Sequence, residues 1–438
     1  MEQEERRQEF SEIVDCFFKR NNLSPSLDEH YLRHFRRKFG RFLSQIPEGT
    51  DVRVKNMILM CIRNDYIYYS RQKIVEIFRA FHRKLMDNGV DIDSCLFASV
   101  LNKQTHKHNS SIALSALYLE ANELDNRLSI YFNSIIDIEM SYRNHLNGKE
   151  GFEHYNQNIF EKESHKERSR CTKLLRGKKY LLLLDDYTGT GGTIRDFLQI
   201  IHSYLPEGIF VIVFCIHATE DAKIILENTL RELNITGQFI KYESSTKYFR
   251  DNPELERIIT EFESTVVHNR EDNYTLGYNK TESVVTTYRN TPNNTLSLFW
   301  RENLNEPVWY PIFPRSGKSV SRTNSRWVAC SNQVRWFLST RGIVGEEQDK
   351  LLLLMYLRDN SRISVALKEI ELDKILCYNP GIIQECQTMS LVTDNLELTP
   401  QGLQFLSGKH LDSINLTEIE REYEVKALKQ DLSIKIDF

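Results

Sequence analysis

Residues 181–193 read Leu-Leu-Leu-Leu-Asp-Asp-Tyr-Thr-Gly-Thr-Gly-Gly-Thr, and this stretch decides the fold class. Four consecutive leucines indicate a strand that is buried on both faces, as in a parallel sheet covered by helices. Asp185 and Asp186 follow at the C-terminal end of that strand, where ligands bind in open α/β sheets. A helical pattern of apolar residues begins directly after the loop, at Ile194. The stretch therefore predicts a strand, a ligand-binding loop and a helix.

The loop has the composition of a phosphate-binding turn. Turns rich in glycine and threonine point backbone N–H groups and hydroxyls at an anion held over a helix N-terminus. The adjacent carboxylates can accept hydrogen bonds from two neighbouring sugar hydroxyls. Together these features indicate a site for a ribose 5-phosphate. The alternative is a glycine-rich turn beside two solvated aspartates. A Walker motif is a poor alternative because this loop contains no Gly-Lys-Ser/Thr.

The same string resembles the signature of type I phosphoribosyltransferases, in which an apolar strand, two acidic residues and Thr-Gly-Gly-Thr follow in order. The resemblance implies that Asp185 and Asp186 are the catalytic pair and hold the ribose 2′- and 3′-hydroxyls of phosphoribosyl pyrophosphate. It also implies that the 5-phosphate lies against a set of loop residues. These are Thr188, Gly189, Thr190, Gly191, Gly192 and Thr193.

The resemblance further implies a pyrophosphate site after the first strand of the domain. Lys103, Ser110 and Ser111 have suitable chemistry for it and lie between a predicted strand and a predicted helix, which Ser110 or Ser111 would cap. Mg²⁺, bound together with phosphoribosyl pyrophosphate or a nucleotide, is the implied cofactor. No metal site made by the protein alone is predicted, since two histidines on one loop, His106 and His108, are weak evidence.

Two departures from the family pattern are visible. Purine-salvage members carry an Asp general base at the position held here by Gly189. The loop after the first strand also lacks the small, glycine-containing form that is common in true transferases. The first departure means that the usual general base is absent. The second changes the loop that would bind pyrophosphate.

Composition describes an ordinary protein with a proper core. The chain has 438 residues, 40% of them hydrophobic and 27% charged, with a net charge of −4. Its eight cysteines are scattered, which favours reduced thiols. The charged N-terminus lacks the apolar core of a signal peptide, and no apolar run reaches the roughly 20 residues of a membrane helix. We therefore expect a cytoplasmic protein with no membrane contact.

Periodicity divides the chain into five predicted parts. Residues 1–90 form an N-terminal helical region, and residues 91–315 form an α/β domain, with strands near 95–101, 181–184, 209–216 and 239–242. The resemblance implies that this α/β domain is phosphoribosyltransferase-like. A strand within residues 283–315 is expected to complete the sheet. Residues 316–328 form a linker, residues 329–408 a winged helix-like domain, and residues 409–438 a C-terminal tail.

A basic run lies directly before the leucine strand. It comprises Lys166, Arg168, Arg170, Lys173, Arg176, Lys178 and Lys179. A mobile loop here would fit a lid over a bound polyphosphate. A charged, solvated linker is the equally supported interpretation.

The C-terminal part has the pattern of a winged helix-turn-helix. Helices are predicted over 349–358, 365–372 and 380–389, followed by a hairpin over 391–398 and a last helix that Thr399 caps. The helix over 380–389 carries Gln384, Glu385 and Gln387 but neither lysine nor arginine. Because phosphate contacts dominate DNA affinity, this favours docking to protein or to a structured nucleic acid over operator binding.

A second motif narrows the resemblance. Residues 291–295 read Thr-Pro-Asn-Asn-Thr, 299–300 Phe-Trp, and 311–315 Pro-Ile-Phe-Pro-Arg. Combined with the acid pair, they resemble the phosphoribosyltransferase-like effectors of bacterial anti-phage systems that occur beside retron reverse transcriptases, often fused to a winged helix. The resemblance implies an α/β fold and a toxic reaction at a ribosyl C1.

The same resemblance implies partners. A retron reverse transcriptase and its RNA–DNA product would hold the effector silent, and a phosphorylated ribose would be its small-molecule ligand; the sequence is compatible with a homo-oligomer. Two other functions stay open at this point. One is a transcription regulator that senses phosphoribosyl pyrophosphate and binds DNA through the winged helix, and the other is a housekeeping nucleobase transferase.

Overall fold

The computed structural model describes residues 2–24, 32, 35–102, 110–267, 274–303, 309–315, 326–363, 365, 368, 371–372, 375–376 and 381–431. These residues fall into two compact units, Met1–Ser316 and Gly317–Phe438. No described helix is both long and apolar enough to cross a bilayer. The described cysteines are free thiols, and Cys377 lies outside the described residues.

The first unit contains two parallel sheets. Their strands are β1 (Ile67–Tyr69), β2 (Cys95–Ser99), β3 (Tyr180–Thr188), β4 (Phe210–Thr219), β5 (Gly237–Ser245) and β6 (Val285–Thr287). The main sheet has the order β2-β3-β4-β5, with every neighbouring pair parallel. The leucine strand is therefore central, as predicted, and it continues through the acid pair to Thr188.

Helices of the first unit lie between and before these strands. They are α1 (Glu2–Arg20), α2 (Phe35–Ser44), α3 (Val52–Met60), α4 (Arg71–Asp87), α5 (Ser110–Ala121), α6 (Asn133–Leu146), α7 (Gln157–Leu175), α8 (Gly192–Ile201), α9 (Glu220–Glu232) and α10 (Pro253–Val266).

Alternate leucines of β3 enter two different cores. Leu181 and Leu183 are fully buried against the face that α8 covers. Leu182 and Leu184 are fully buried on the opposite face, under α4 and α5. Successive side chains of a strand point to opposite faces, so a run of apolar residues is stable only when both faces are covered. The structure confirms the predicted parallel α/β arrangement.

The N-terminal helices share their core with later parts of the same unit. Side chains of α1, α2 and α3 pack with α10 and with residues 284–313, and α4 lies on the main sheet. The region predicted as helical also contains a short strand, β1, which pairs in parallel with β6. The expectation that a strand from residues 283–315 completes the main sheet is therefore wrong, since β6 forms a separate two-stranded sheet.

Most of the basic run before β3 lies in a helix, and only Arg176, Lys178 and Lys179 follow it. Residues 157–175 form α7. Its N-cap is Asn156, whose side chain accepts a hydrogen bond from the Ile159 amide at 3.2 Å. Cys171 and Leu175 are buried along one side of the helix. Both interpretations offered from the sequence, the lid and the solvated linker, are wrong for these residues.

The second unit is helical. Its named helices are α11 (Arg326–Ser339), α12 (Glu346–Asp359), α13 (Gly381–Thr388), α14 (Pro400–Ser407) and α15 (Leu416–Asp431). Thr399 caps α14 as predicted, accepting a hydrogen bond from the Gly402 amide at 3.0 Å. The predicted hairpin is reduced to one antiparallel bridge, Val392–Leu398. Residues 316–325 of the predicted linker, and parts of the helices predicted over 365–372 and 380–389, lie outside the described residues, and the winged helix stays a prediction.

Candidate active site

The acid pair lies at the C-terminal end of β3 in the main sheet. There Asp185 is opposite Cys215 of β4, and Leu184 is opposite Ser99 of β2. Asp185 is 7% exposed, and its Oδ1 accepts a hydrogen bond from the Ser111 hydroxyl at 2.7 Å. Its neighbour Asp186 is half-buried. The pair is thus held at the sheet edge where ligands bind in folds of this class.

Ser111 has a different role from the expected cap. It lies inside α5, which begins at Ser110, and its hydroxyl donates to Asp185. Whether Ser111 contacts pyrophosphate stays a prediction. Lys103, His106 and His108 lie outside the described residues, as does the side chain of Ser110.

Burial raises the pKa of both carboxyls. For Asp185 the pKa is raised well above its ordinary value, first by desolvation and then by the charge of Asp186. Desolvation also raises the pKa of Asp186, while hydrogen bonds and the positive charge of Arg315 oppose that shift. Charging both groups is therefore costly in the protein alone. A ligand that brings hydroxyl donors or a cation would lower that cost, as is typical of functional sites.

The loop after β3 presents backbone amides. Gly191 adopts φ +70°, a left-handed conformation that suits glycine, and α8 begins at the next residue. The Gly189 carbonyl accepts a hydrogen bond from the Thr219 hydroxyl at 2.5 Å, which anchors the loop to β4. Among the residues that the structure describes, the amides of Gly189, Thr190, Gly191 and Thr193 make no hydrogen bond. Unpaired amides at the start of a ten-residue helix form an anion-binding arrangement.

The Thr-Pro-Asn-Asn-Thr motif packs directly on this loop. A Cβ added to Gly189 would lie 2.3 Å from Asn294 Nδ2, so only glycine fits there. The same Nδ2 donates to the Thr281 hydroxyl at 3.1 Å, which fixes the amide group. The side chain of Asn294 therefore covers the position from which purine-salvage transferases project their base.

Arg315 is a site residue that sequence reasoning missed. Its positive charge opposes the burial-driven rise in the pKa of Asp186, and its Nη1 donates to the Thr291 carbonyl at 3.3 Å. In the sequence, Arg315 differs from its neighbours only in being the single cation of the second motif. Its charge makes that motif part of the acid pair's surroundings.

A buried Tyr–His pair was also missed. His217 of β4 is fully buried, and its ring stacks on Tyr187 with centroids 5.6 Å apart. The Tyr69 hydroxyl donates to Glu243 Oε2 at 2.7 Å and lies 3.0 Å from His217 Nδ1. Because a hydroxyl carries one proton, Nδ1 must be the donor to Tyr69, and Nε2 accepts from the Ser245 hydroxyl at 3.0 Å.

This network joins the two sheets, since Tyr69 belongs to β1 and His217 to β4. Burial lowers the pKa of His217 to about 4, so the ring is neutral at pH 7. A protonated ring would place a charge in the core and would remove the acceptor at Nε2. The neutral form is therefore required for the junction between the sheets.

A pH-dependent stability follows from His217. Its pKa is lower in the folded protein than in the unfolded chain, so its contribution is complete above pH 6.5 and is lost as pH falls toward 4. Relative to a His217→Gln variant, the wild type should lose about 3 kcal/mol of unfolding free energy over that range. Urea unfolding of both proteins between pH 4.5 and 7 measures the difference.

The stability of the wild type must be compared with that of the His217→Gln variant, because the titration of Glu263 changes stability with pH in the opposite direction. Burial raises the pKa of Glu263 to about 7, so its effect on stability declines as pH rises from 4.5 to 7. Both proteins share Glu263, and its effect cancels in the difference. A difference that does not change with pH would mean that His217 is not buried in the neutral form.

The residues of this site fall within a family match. The PRTase-CE family model matches residues 39–315. The chain belongs to the PRTase-CE family. The PRTase-CE match contains the acid pair, the loop and the second motif, so this part of the chain is a phosphoribosyltransferase-like domain. Comparisons with curated proteins and with solved structures returned no significant match.

Proposed function

We propose that the PRTase-CE domain binds a ribose 5-phosphate, as phosphoribosyl pyrophosphate or a nucleotide, and acts at its ribosyl C1. One observation carries the proposal. The buried Asp185, the half-buried Asp186 and a loop whose amides make no hydrogen bond among the described residues lie at the same end of β3. Carboxylates accept from sugar hydroxyls, and amides donate to a phosphate.

The phosphate end of the ligand would lie against residues 189–193. The amides of this loop and the dipole of α8 both favour negative charge. Thr190 and Thr193 add hydroxyl donors, and Thr193 is exposed to solvent. Asp186 is the more accessible acid, so we assign it the hydroxyl nearer to solvent, while Asp185 is oriented by Ser111.

The donor set fits Mg²⁺ delivered together with its ligand. Among the residues described by the structure, no cluster of three acidic, His or Cys side chains could hold a metal. Mg²⁺ usually binds through one or two carboxylates together with substrate phosphates. Asp186 would be its protein ligand, and the ion would neutralise charge that develops on the leaving pyrophosphate.

The reaction requires positioning more than covalent help. The bond between C1 and the pyrophosphate oxygen breaks with its electron pair going to pyrophosphate, and a nucleophile forms the new bond to C1. The nucleophile's proton passes to solvent, because the position of the usual general base is held by Gly189. The side chain of Asn294 occupies the space that a side chain at position 189 would need. Fixing the sugar phosphate at two ends supplies orientation, and the protein dipoles supply electrostatic stabilisation.

We assign this activity to a retron-type anti-phage effector. The combination of the acid pair with the second motif supports that assignment, together with the presence of a separate C-terminal unit. In this scheme a reverse transcriptase and its RNA–DNA product keep the effector inactive until infection. A reverse transcriptase gene beside the gene for this chain would support the assignment.

Calorimetry tests the binding step. Titration of the full chain with phosphoribosyl pyrophosphate should give saturable heat in MgCl₂, and weaker binding in EDTA. Absence of saturable binding in both conditions would contradict the proposal.

A further inference from the structure

One face of α7 concentrates positive charge. Residues 165–179 carry seven lysines and arginines against one glutamate, a net charge of +6 in a chain whose total is −4. The exposed side chains of this segment include His165, Lys166, Ser169, Thr172, Lys173 and Arg176. Their spacing places them on one side of the helix, opposite the buried Cys171 and Leu175.

An arginine at each edge of this face donates a hydrogen bond to a backbone carbonyl of a neighbouring segment. On one edge, Arg168 Nε donates to the Ser203 carbonyl at 3.0 Å. On the other, Arg170 Nη2 donates to the Tyr131 carbonyl at 2.8 Å, and its Nε donates to the one glutamate, Glu167, at 2.6 Å. The acid of the segment is therefore already paired and points away from the exposed face.

The remaining cations have no carboxylate partners. Among the described residues, no ion pair involves Lys166, Lys173 or Arg176. Some exposed cations elsewhere in the unit have partners on their own helices, as in Lys223–Glu227 and Arg257–Glu261. Between residues 165 and 176 the exposed side chains include no acid, and the next acid on this side of α7, Glu161, lies one turn before His165. A face that merely keeps the protein hydrated usually carries both signs along its whole length.

The face also has the shape of a binding groove. A groove of about 350 Å³ is lined by His165, Arg168, Ser169, Thr172, Lys173 and Arg176, all of them able to donate hydrogen bonds. From residue 165 to residue 175 the helix advances about 15 Å, which corresponds to several nucleotide steps. At the Arg170 edge, Tyr131 is 61% exposed and offers an aromatic surface for base stacking.

We propose that the exposed face of α7 binds the phosphodiester backbone of a nucleic acid. Closely spaced lysine and arginine side chains along a helix match a row of phosphates, and the Ser169 hydroxyl adds a neutral donor, whereas that of Thr172 already donates to the Arg168 carbonyl at 3.0 Å. None of these residues belongs to the acid pair or its loop. The inference is therefore independent of the proposed function.

Fluorescence anisotropy with a labelled 20-nucleotide single strand tests this site in the full chain. Reversing three cations in Lys166→Glu/Lys173→Glu/Arg176→Glu should weaken binding about 20-fold or more at 50 mM salt. The slope of log affinity against log salt should also become shallower by about 2, which is the share of three phosphate contacts. Tyr131→Ala should weaken binding to single strands more than to a duplex of the same length.

A matched control reverses three exposed cations elsewhere on the same unit, Lys55→Glu/Arg83→Glu/Lys84→Glu. It changes net charge equally and should leave most of the affinity. If the triple reversal does not fold, the neutral Lys166→Gln/Lys173→Gln/Arg176→Gln variant carries the test. Loss of binding in the Asp185→Asn/Asp186→Asn variant is not expected.

Three outcomes would overturn the inference. One is no binding of the oligonucleotide by the wild type at 50 mM salt. A second is equal weakening by the control reversal, which would reduce the effect to net charge. The third is equal affinity for a polyglutamate of the same charge, which would assign the face to an acidic polypeptide.

Discussion

The Asp185→Asn/Asp186→Asn variant should lose phosphoribosyl pyrophosphate binding by at least about 100-fold, together with any toxicity to the host. Hydrogen bonds to charged acceptors contribute about 1.5–3 kcal/mol each, and two of them would be replaced by weaker ones. Calorimetry with Mg²⁺ measures the affinity, and growth after induced expression measures the toxicity.

The fold should survive this change. Desolvation raises the pKa of both carboxyls, so neutral amides relieve desolvation and mutual repulsion. Asn at position 185 can still accept from the Ser111 hydroxyl. The melting temperature should therefore be unchanged or higher. Asp221→Asn/Asp251→Asn, at two exposed positions, is the matched control and should bind normally. Undiminished binding or toxicity in the site variant would end the enzymatic proposal.

Gly191→Val should damage the loop severely. The residue adopts φ +70°, and an added Cβ would lie 3.2 Å from Ile225 Cγ2 and 3.4 Å from the Ala222 carbonyl of α9. The side chain would thus press on α9 and would not enter the phosphate side of the loop. Left-handed strain in a β-branched residue and this contact should cost about 2–3 kcal/mol of stability. Displacement of the amides should weaken ligand binding at least tenfold, as calorimetry would show.

Two variants separate the strain from the site. Gly208→Val has a similar φ, +83°, with open space around the added Cβ, so it should lower stability and leave binding intact. Gly191→Asn should be milder than Gly191→Val, since asparagine tolerates left-handed backbone. Full ligand affinity in Gly191→Val would mean that the loop does not bind the phosphate.

Local patterns predicted the centre of the fold well. Four leucines require cover on both faces, and Gly191 followed by apolar residues at helical spacing requires a turn into a helix. Both conclusions depend on residues within 15 positions of each other. The structure confirms the buried strand and the turn into a helix. Such strong local patterns are rarely overridden by contacts with distant segments.

Contacts between distant segments were not predictable in this way. β1 and β6 have three residues each and lie more than 200 positions apart, so neither has a pattern that names its partner. The contact of Asn294 with Gly189 and that of Tyr69 with His217 also join distant segments, and no local pattern predicts them. α7 was missed for a different reason: its buried side includes Ser164 and Glu167 beside Cys171 and Leu175, so its apolar stripe is too narrow to recognise.

The discrimination between ribose 5-phosphate and 2-deoxyribose 5-phosphate tests the central claim most directly. If the acid pair holds both sugar hydroxyls, the wild type should bind the deoxy sugar at least about tenfold more weakly, because a buried carboxylate loses its donor. In Asp185→Asn/Asp186→Asn, this discrimination should largely disappear, while the remaining affinity for the phosphate is equal for the two sugars. Equal binding of both sugars by the wild type, or full discrimination in the variant, would contradict the assignment of the acid pair to the ribose.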